Sequence, residues 1–244
     1  MEETKIINFF GLDVSVNILL SLLTTVILVF AICVWMTRQL SVDKPGKPQI
    51  MLEALVDFIK GIIRDTMEGS YSDHYVYISM ALFLFLIIAN YLGLPLIIHV
   101  DEFSYWKSPT ADGMVAFTLA IIMNIISHIL GMRDQGVGTY WVNTYLKPNP
   151  LMLPIKVGEE IINLFTLALR LFGNIYAGEV LLNLISGMGN HFGVATWLVG
   201  IPLQIIWQGF SMFIGAIQAY IFVTLSLVYL SHKVKHPHHD ETVS

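Results

Sequence analysis

The stretch LALRLFGNIYAGEVLL, residues 167–182, places a single arginine inside a long apolar segment. Arg170 follows nine uncharged residues and precedes eight more. A charge at the middle of a bilayer costs roughly 3 kcal/mol or more, so it is kept only with a partner or a function. An arginine side chain stays cationic even there, because guanidinium does not deprotonate in proteins. The stretch therefore predicts a membrane helix that carries a permanent positive charge.

The composition of the whole chain also indicates an integral membrane protein. Of its 244 residues, 55% are hydrophobic and only 13% are charged, whereas soluble domains carry roughly 25% charged residues. The net charge of −5 argues against nucleic acid as a partner, because surfaces that bind phosphate are basic. The N-terminus, MEETKIINFF, is acidic where a cleavable signal peptide needs basic residues. We therefore expect the first apolar run to remain as a membrane helix.

Three uncharged runs, and a longer apolar stretch interrupted only by Arg170 and Glu179, predict an all-α protein with five membrane helices in a single membrane domain of residues 1–244. Each run reaches the ~20 residues that cross a bilayer as a helix. The last two exceed that length, at roughly 46 and 55 Å against a hydrocarbon core of ~30 Å, so they must tilt, bend or break. A turn is predicted between them at SGMGNHFG, residues 186–193. The predicted helices are about 15–37, 76–98, 113–131, 157–187 and 195–231.

Basic residues predict the orientation. With the N-terminus outside and the C-terminus inside, 10 of 13 basic residues fall on the cytoplasmic side and only Lys5 and Lys107 outside. The segment of about residues 50–68 alternates apolar and charged residues at helical spacing. We expect an amphipathic helix at the cytoplasmic membrane surface, with a groove on a partner protein as the alternative. The His-rich tail, SHKVKHPHH, is expected to be solvated, with metal binding as the alternative.

Two polar strips are predicted along the last two helices. Spacings of four, seven and four residues put the first strip on one face, whereas Glu179, nine residues after Arg170, points to the opposite side. An inert Arg170–Glu179 pair and simple interhelical hydrogen bonding of the amides remain alternatives. Polar faces must avoid lipid, so the two strips would meet in a seam that conducts ions or protons. The strips are Glu159, Asn163, Arg170 and Asn174, and Gln204, Gln208, Ser211, Gly215 and Gln218.

Four stretches resemble the a subunits of bacterial F-type ATP synthases, the stator half of the proton channel. The signature LALRLFGNIYAGEVLL carries the resemblance, and its order relative to the other stretches and the five-helix topology strengthen it. The resemblance implies an enzyme-complex subunit without catalysis of its own, in a bacterial plasma membrane. The further stretches are SPTADGMVAF (108–117), PIKVGEEIINLFTLALRLFGN (154–174) and IQAYIFVTLSLVYLS (217–231).

The resemblance also implies a role for each site residue. Arg170 is similar to the stator arginine that faces the carboxylate of each passing c subunit, and Gln218 to the glutamine that positions it. Asn174 and Glu179 resemble polar residues of the outer half-channel. Where some members have histidine this chain has Ser211, which cannot titrate near neutral pH, so Glu179 is left as the titrating group. The residues that resemble the inner half-channel are Glu159, Glu160 and Asn163.

The implied partners are the c-ring, the b subunits of the peripheral stalk, the rest of the F1Fo complex, the lipid bilayer and protons. No cofactor or metal is expected, and no G-x-x-x-x-G-K-[ST] motif is present for nucleotide binding. Two other functions fit parts of the pattern. A secondary transporter would use Arg170 in an anion site, although no internal repeat supports it. A membrane anchor without transport would leave the polar strips unexplained. The coupling ion, proton or sodium, and the ring size are open.

Overall fold

The computed structural model consists mainly of helices, five of which are long and apolar enough to cross a membrane. These five are α1 (Val16–Thr37), α3 (Asp73–Gly93), α4 (Gly113–Gln135), α6 (Leu153–His191) and α7 (Val194–Ser231). The predicted all-α class with five membrane helices is therefore confirmed, while the N-out, C-in orientation and the single-domain organisation stay predictions. The structure describes residues 6–9, 12–38, 40–41, 45–67, 73–93, 99–100, 103–104, 109–146, 149–191 and 194–234.

Helix ends differ from the predicted ends for local reasons. Helix α3 begins at Asp73, and this acidic residue in its first turn interacts favourably with the helix dipole. Helix α4 continues past the predicted residue 131 to Gln135, with Arg133 in its last turn, where the dipole favours a cation. It stops at Gly136, whose φ of 80° suits glycine and breaks the helix.

The two longest helices are unbroken where the sequence allowed a break. Helix α6 has 39 residues and runs through Gly173 and Gly178. Helix α7 has 38 residues and runs through Pro202 and Gly215, although proline removes one backbone hydrogen bond from a helix interior. The predicted turn at 186–193 overlaps α6, which reaches His191, and residues 192–193 lie outside the described residues.

Short elements complete the described chain. Two short antiparallel strand pairs were not predicted. They are β1 (Ile6–Phe9) with β2 (Leu12–Ser15), and β3 (His99–Val100) with β4 (Phe103–Ser104). The remaining elements are a 3-10 turn at Pro109–Ala111, the short helix α5 (Val137–Trp141), a π-helical turn at Val142–Leu146 and a 3-10 turn at Pro150–Met152.

Helix α2 (Lys47–Thr66) occupies the segment predicted to be amphipathic. Ile59, Ile62 and Ile63 are buried on it, and the Phe58 ring lies 5.5 Å from the ring of Phe83. Its charged residues Glu53, Asp57 and Arg64 are exposed. The placement of this helix at a membrane surface stays a prediction.

Contacts divide the chain into two compact units, each with its own candidate residues. We call them the Arg170 unit and the Glu160 unit. The Arg170 unit consists of Met1–Cys33, Leu84–Ala116 and Leu169–Ala219. The Glu160 unit consists of Val34–Phe83, Phe117–Ala168 and Tyr220–Ser244.

Candidate functional site

Arg170 lies half-buried on α6 and makes no hydrogen bond or ion pair with any residue that the structure describes. The side chain of Glu179 lies outside the described residues, so the inert pair remains untested. The backbone between the two residues is continuous helix. Nine residues correspond to about two and a half turns, which puts the two positions on opposite sides of the helix. A guanidinium on a membrane helix, without a partner among the described residues, is able to bind an anion from another chain.

A hydrogen bond joins the two predicted polar strips one turn beyond Arg170. The Asn174 Nδ2 donates to Gln218 Oε1 at 2.9 Å. The Gln218 side chain is only 1% exposed, and its Nε2 has no partner among the described residues. The amide of Gln218 therefore holds Asn174 through its oxygen and keeps its N–H donors for another group. Ser211, on the same face of α7, is also buried and has no described partner for its Oγ.

Asn90, which was not among the predicted site residues, fixes α7 close to Gln218. Its Nδ2 donates to the Gly215 carbonyl at 2.9 Å, and its Oδ1 accepts from Thr110 Oγ1 at 2.9 Å. Asn90 and Thr110 are both completely buried. Gly215 precedes Gln218 by three residues, so this network holds the turn of α7 that carries the glutamine. Asn90 is an amide within an otherwise apolar span, and that signal could have identified it.

The Glu160 unit contains a cluster of charged and aromatic side chains around one carboxylate. Lys233 and His128 both contact Glu160 Oε1, the latter through Nε2 at 2.8 Å. The Tyr145 hydroxyl donates to Glu160 Oε2. The carboxylate therefore has three hydrogen-bonding neighbours, which come from α4, from the π-helical turn and from the residues that follow α7. We call Glu160, Lys233, His128 and Tyr145 the Glu160 cluster.

Lys233 is the most buried charge of this cluster, at 8% exposure. Its Nζ also donates to Asn124 Oδ1 at 2.8 Å and to Ser127 Oγ at 3.2 Å. Burial lowers the pKa of the Lys233 ammonium from its ordinary value, and the adjacent carboxylate of Glu160 opposes that shift. The backbone carbonyl of Lys233 accepts from Gln135 Nε2 at 2.8 Å, which holds the end of α7 against α4.

Two tyrosines remain protonated and serve as donors: Tyr145 in the cluster and Tyr140 next to it. Burial, together with the charge of Glu160, raises the pKa of Tyr140 to about 12. The Tyr140 hydroxyl lies 2.6 Å from His128 Nδ1. Burial also raises the pKa of the Tyr145 phenol, and its hydrogen bond to Glu160 adds to the shift. A phenol in this state donates a hydrogen bond but does not carry charge at neutral pH.

A polar cavity of about 280 Å³ lies beside the cluster in the Glu160 unit. Its walls include Glu159, Glu160 and Asn163, the three residues assigned from the sequence to the inner half-channel. Glu159 is exposed and makes no hydrogen bond or ion pair among the described residues. Further polar residues of the wall are Asn124, Ser127, Asn143, Thr144, Lys156, Ser226, His232 and Lys233. A cavity of this size and polarity accommodates several water molecules.

The structure thus brings the predicted residues together in two groups and adds others. Asn174, Gln218 and Ser211 belong with Arg170 in one unit, and Glu159, Glu160 and Asn163 surround the cavity of the other. His128 and Lys233 were missed. His128 follows Asn124 by four residues, so both lie on one face of α4, and that polar face was a usable signal. In the part of the chain that the structure describes, no group of three or more His, Cys, Asp or Glu is arranged to hold a metal.

Comparison with known proteins identifies the family. The model of the ATP synthase A chain family matches residues 18–231. The ATP synthase subunit a of Enterococcus faecalis is 46% identical over 237 residues, which cover 96% of this chain and 99% of that protein. The ATP synthase subunit a of Priestia megaterium is 41% identical over 236 residues, with 97% and 99% covered. Because the family model and these relatives cover almost all of it, the chain belongs to the ATP synthase A chain family.

Proposed function

We propose that this chain is the proton-channel stator subunit of an F-type ATP synthase. The observation that carries the proposal is Arg170, a cation on a membrane helix with no partner among the described residues, one turn from the Asn174–Gln218 hydrogen bond. A fixed cation of this kind needs an anion supplied by another chain. The carboxylate of a c subunit in a rotating ring is the anion that the family membership favours.

In this proposal, the two groups of residues line two half-channels. In the outer half-channel, Glu179, Asn174 and Ser211 would pass a proton through water to a carboxylate of the c-ring. The neutral acid then turns through lipid, which a charged carboxylate could do only at high cost. In the inner half-channel, the cavity lined by Glu159, Glu160 and Asn163 would take the proton away.

Arg170 separates these two half-channels. A carboxylate that has lost its proton to the inner side meets the guanidinium, which compensates its charge until a new proton arrives from the outside. Gln218 would orient this encounter through the N–H donors that Asn174 does not use. A membrane potential supplies about 2.3 kcal/mol per charge per 100 mV. A direct proton path past Arg170 would dissipate that energy without turning the ring.

The setting of the protein follows from the same proposal. The chain would work in a bacterial plasma membrane as a non-catalytic subunit, bound to the c-ring and to the b subunits of the peripheral stalk. The remaining F1Fo complex would supply the ATP chemistry, since this sequence has no phosphate-binding loop.

Co-purification tests the proposal. The tagged chain, extracted in mild detergent, should carry with it a ring of small two-helix subunits. Inverted vesicles that contain this complex should acidify when ATP is added. A chain that purifies without a ring, and whose vesicles take up an organic anion instead, would support a secondary transporter and contradict the stator assignment.

A further inference from the structure

Two adjacent carboxyl groups on α6 have opposite surroundings in the same cavity. Glu160 is surrounded by the donors of the Glu160 cluster. Glu159 lines the cavity as well, but its side chain is exposed and has no partner among the described residues. Protonation of Glu160 would therefore change contacts with its neighbours, whereas protonation of Glu159 would break no described contact, although the two residues are adjacent in the sequence.

Protonation of Glu160 would disrupt its surroundings. Its Oε1 contacts Lys233 Nζ and His128 Nε2, and its Oε2 accepts a hydrogen bond from the hydroxyl of Tyr145. Hydrogen bonds to the charged form of a carboxyl stabilise that form. A proton on either oxygen would compete with at least one of these donors, so the contacts hold Glu160 as a carboxylate.

Lys233 depends on that carboxylate. Lys233 is 8% exposed, and its other neighbours, Asn124, Ser127 and His128, carry no negative charge. A buried charge that loses its counter-ion is strongly destabilised, whereas replacing both members of a buried pair by neutral groups is often tolerated. The pair therefore acts as a unit that joins α6 to the end of α7.

We propose that Glu160 is a positioning residue, held permanently ionised by Lys233, and that Glu159 is the carboxyl that exchanges protons in this cavity. The inference rests on the proposed function and refines its inner half-channel. Glu159 accepts a proton from cavity water on the ring side and releases it to bulk water. Its charge alternates between −1 and 0, and no proton is gained or lost overall. The Glu160–Lys233 pair keeps the walls of the cavity in place meanwhile.

Rescue by a double substitution tests this assignment in the assembled complex. Glu160→Gln keeps the shape of the side chain without its charge, and Lys233→Met keeps a similar length without the ammonium. Glu160→Gln leaves the buried ammonium of Lys233 without its counter-ion, and Lys233→Met leaves Glu160 with only His128 and Tyr145. We therefore expect each single variant to lose most of the assembled complex or most of its pumping. The double variant should recover ATP-driven proton pumping in inverted vesicles to within about threefold of the unsubstituted chain, because both charges are removed together.

A second arm examines Glu159 directly. Glu159→Gln should assemble normally and yet lower proton pumping at least about tenfold, since proton transfer by a positioned side chain contributes that much or more. Glu53→Gln, an exposed carboxyl of α2, is the matched control and should pump normally. The pH profile of pumping in the double variant should match that of the unsubstituted chain, because the exchanging group is still present.

The outcomes separate this inference from the function on which it rests. A double variant that fails to assemble, or assembles without pumping, would overturn the assignment of Glu160. Normal pumping by Glu159→Gln would overturn the assignment of Glu159. If the unsubstituted chain assembles with its ring and pumps no protons at all, the proposed function itself is contradicted.

Discussion

At the scale of the residue, the chemistry of Arg170 is that of a single guanidinium group in an apolar helix. It keeps its charge where other basic groups would lose theirs, and it binds a carboxylate in a planar, two-pronged geometry. The described residues offer it no such carboxylate. Glu160 is the opposite case, since its carboxylate is surrounded by donors within the chain. The Arg170 unit thus contains a cation that can bind a carboxylate from another chain. The Glu160 unit contains a carboxylate whose hydrogen-bond partners lie within the chain.

Glu179 carries the prediction at this scale. Glu179→Gln should slow ATP-driven proton pumping several-fold, because an amide cannot take up and release a proton as a carboxyl does. The measurement is the initial rate of acidification of inverted vesicles, with the amount of assembled complex held equal. Asp57→Asn, an exposed carboxyl of α2, serves as the control. An unchanged rate in Glu179→Gln would remove this residue from the proton path.

At the scale of the secondary-structure element, the contacts between helices depend on a few positions where two backbones approach closely. Gly131 on α4 faces Tyr140 and the backbone of Lys233. A Cβ built on Gly131 would lie 2.6 Å from Tyr140 Cε2 and 2.8 Å from the Lys233 carbonyl oxygen. These distances are too short for real atoms, so the absence of a side chain lets the end of α7 lie against α4. The same approach positions the Lys233 ammonium next to Glu160.

Gly131→Ala should therefore destabilise the protein by about 1–3 kcal/mol, the usual cost of overpacking. The melting temperature in detergent should fall, and the displaced Lys233 should weaken proton pumping as well. Gly158→Ala is the matched control, because a Cβ at that helical glycine meets nothing within 4 Å and alanine favours the helix. Equal melting temperatures for the two variants would show that the contact at Gly131 is not tight.

The whole molecule shows which features a sequence can predict. The five long helices were predictable, because a helix satisfies its backbone hydrogen bonds internally in lipid and the apolar runs have the required length. The shared helix face of Arg170 and Asn174 followed from their spacing along α6, while the role of these residues stays a prediction. The Glu160 cluster was not, since Lys233 lies 73 residues from Glu160 and 105 from His128 in the chain. Such contacts depend on how helices pack, which periodicity within one helix does not reveal.

Substitution of Arg170 tests the central claim of a fixed cation between two half-channels. We predict that Arg170→Ala abolishes ATP synthesis driven by a proton gradient in membrane vesicles, because the unprotonated ring carboxylate then loses its counter-ion. The complex should still assemble, as judged by co-purification of its subunits. Arg133→Ala, at the exposed end of α4, should assemble and synthesise ATP normally. Normal ATP synthesis by an assembled Arg170→Ala complex would contradict the account.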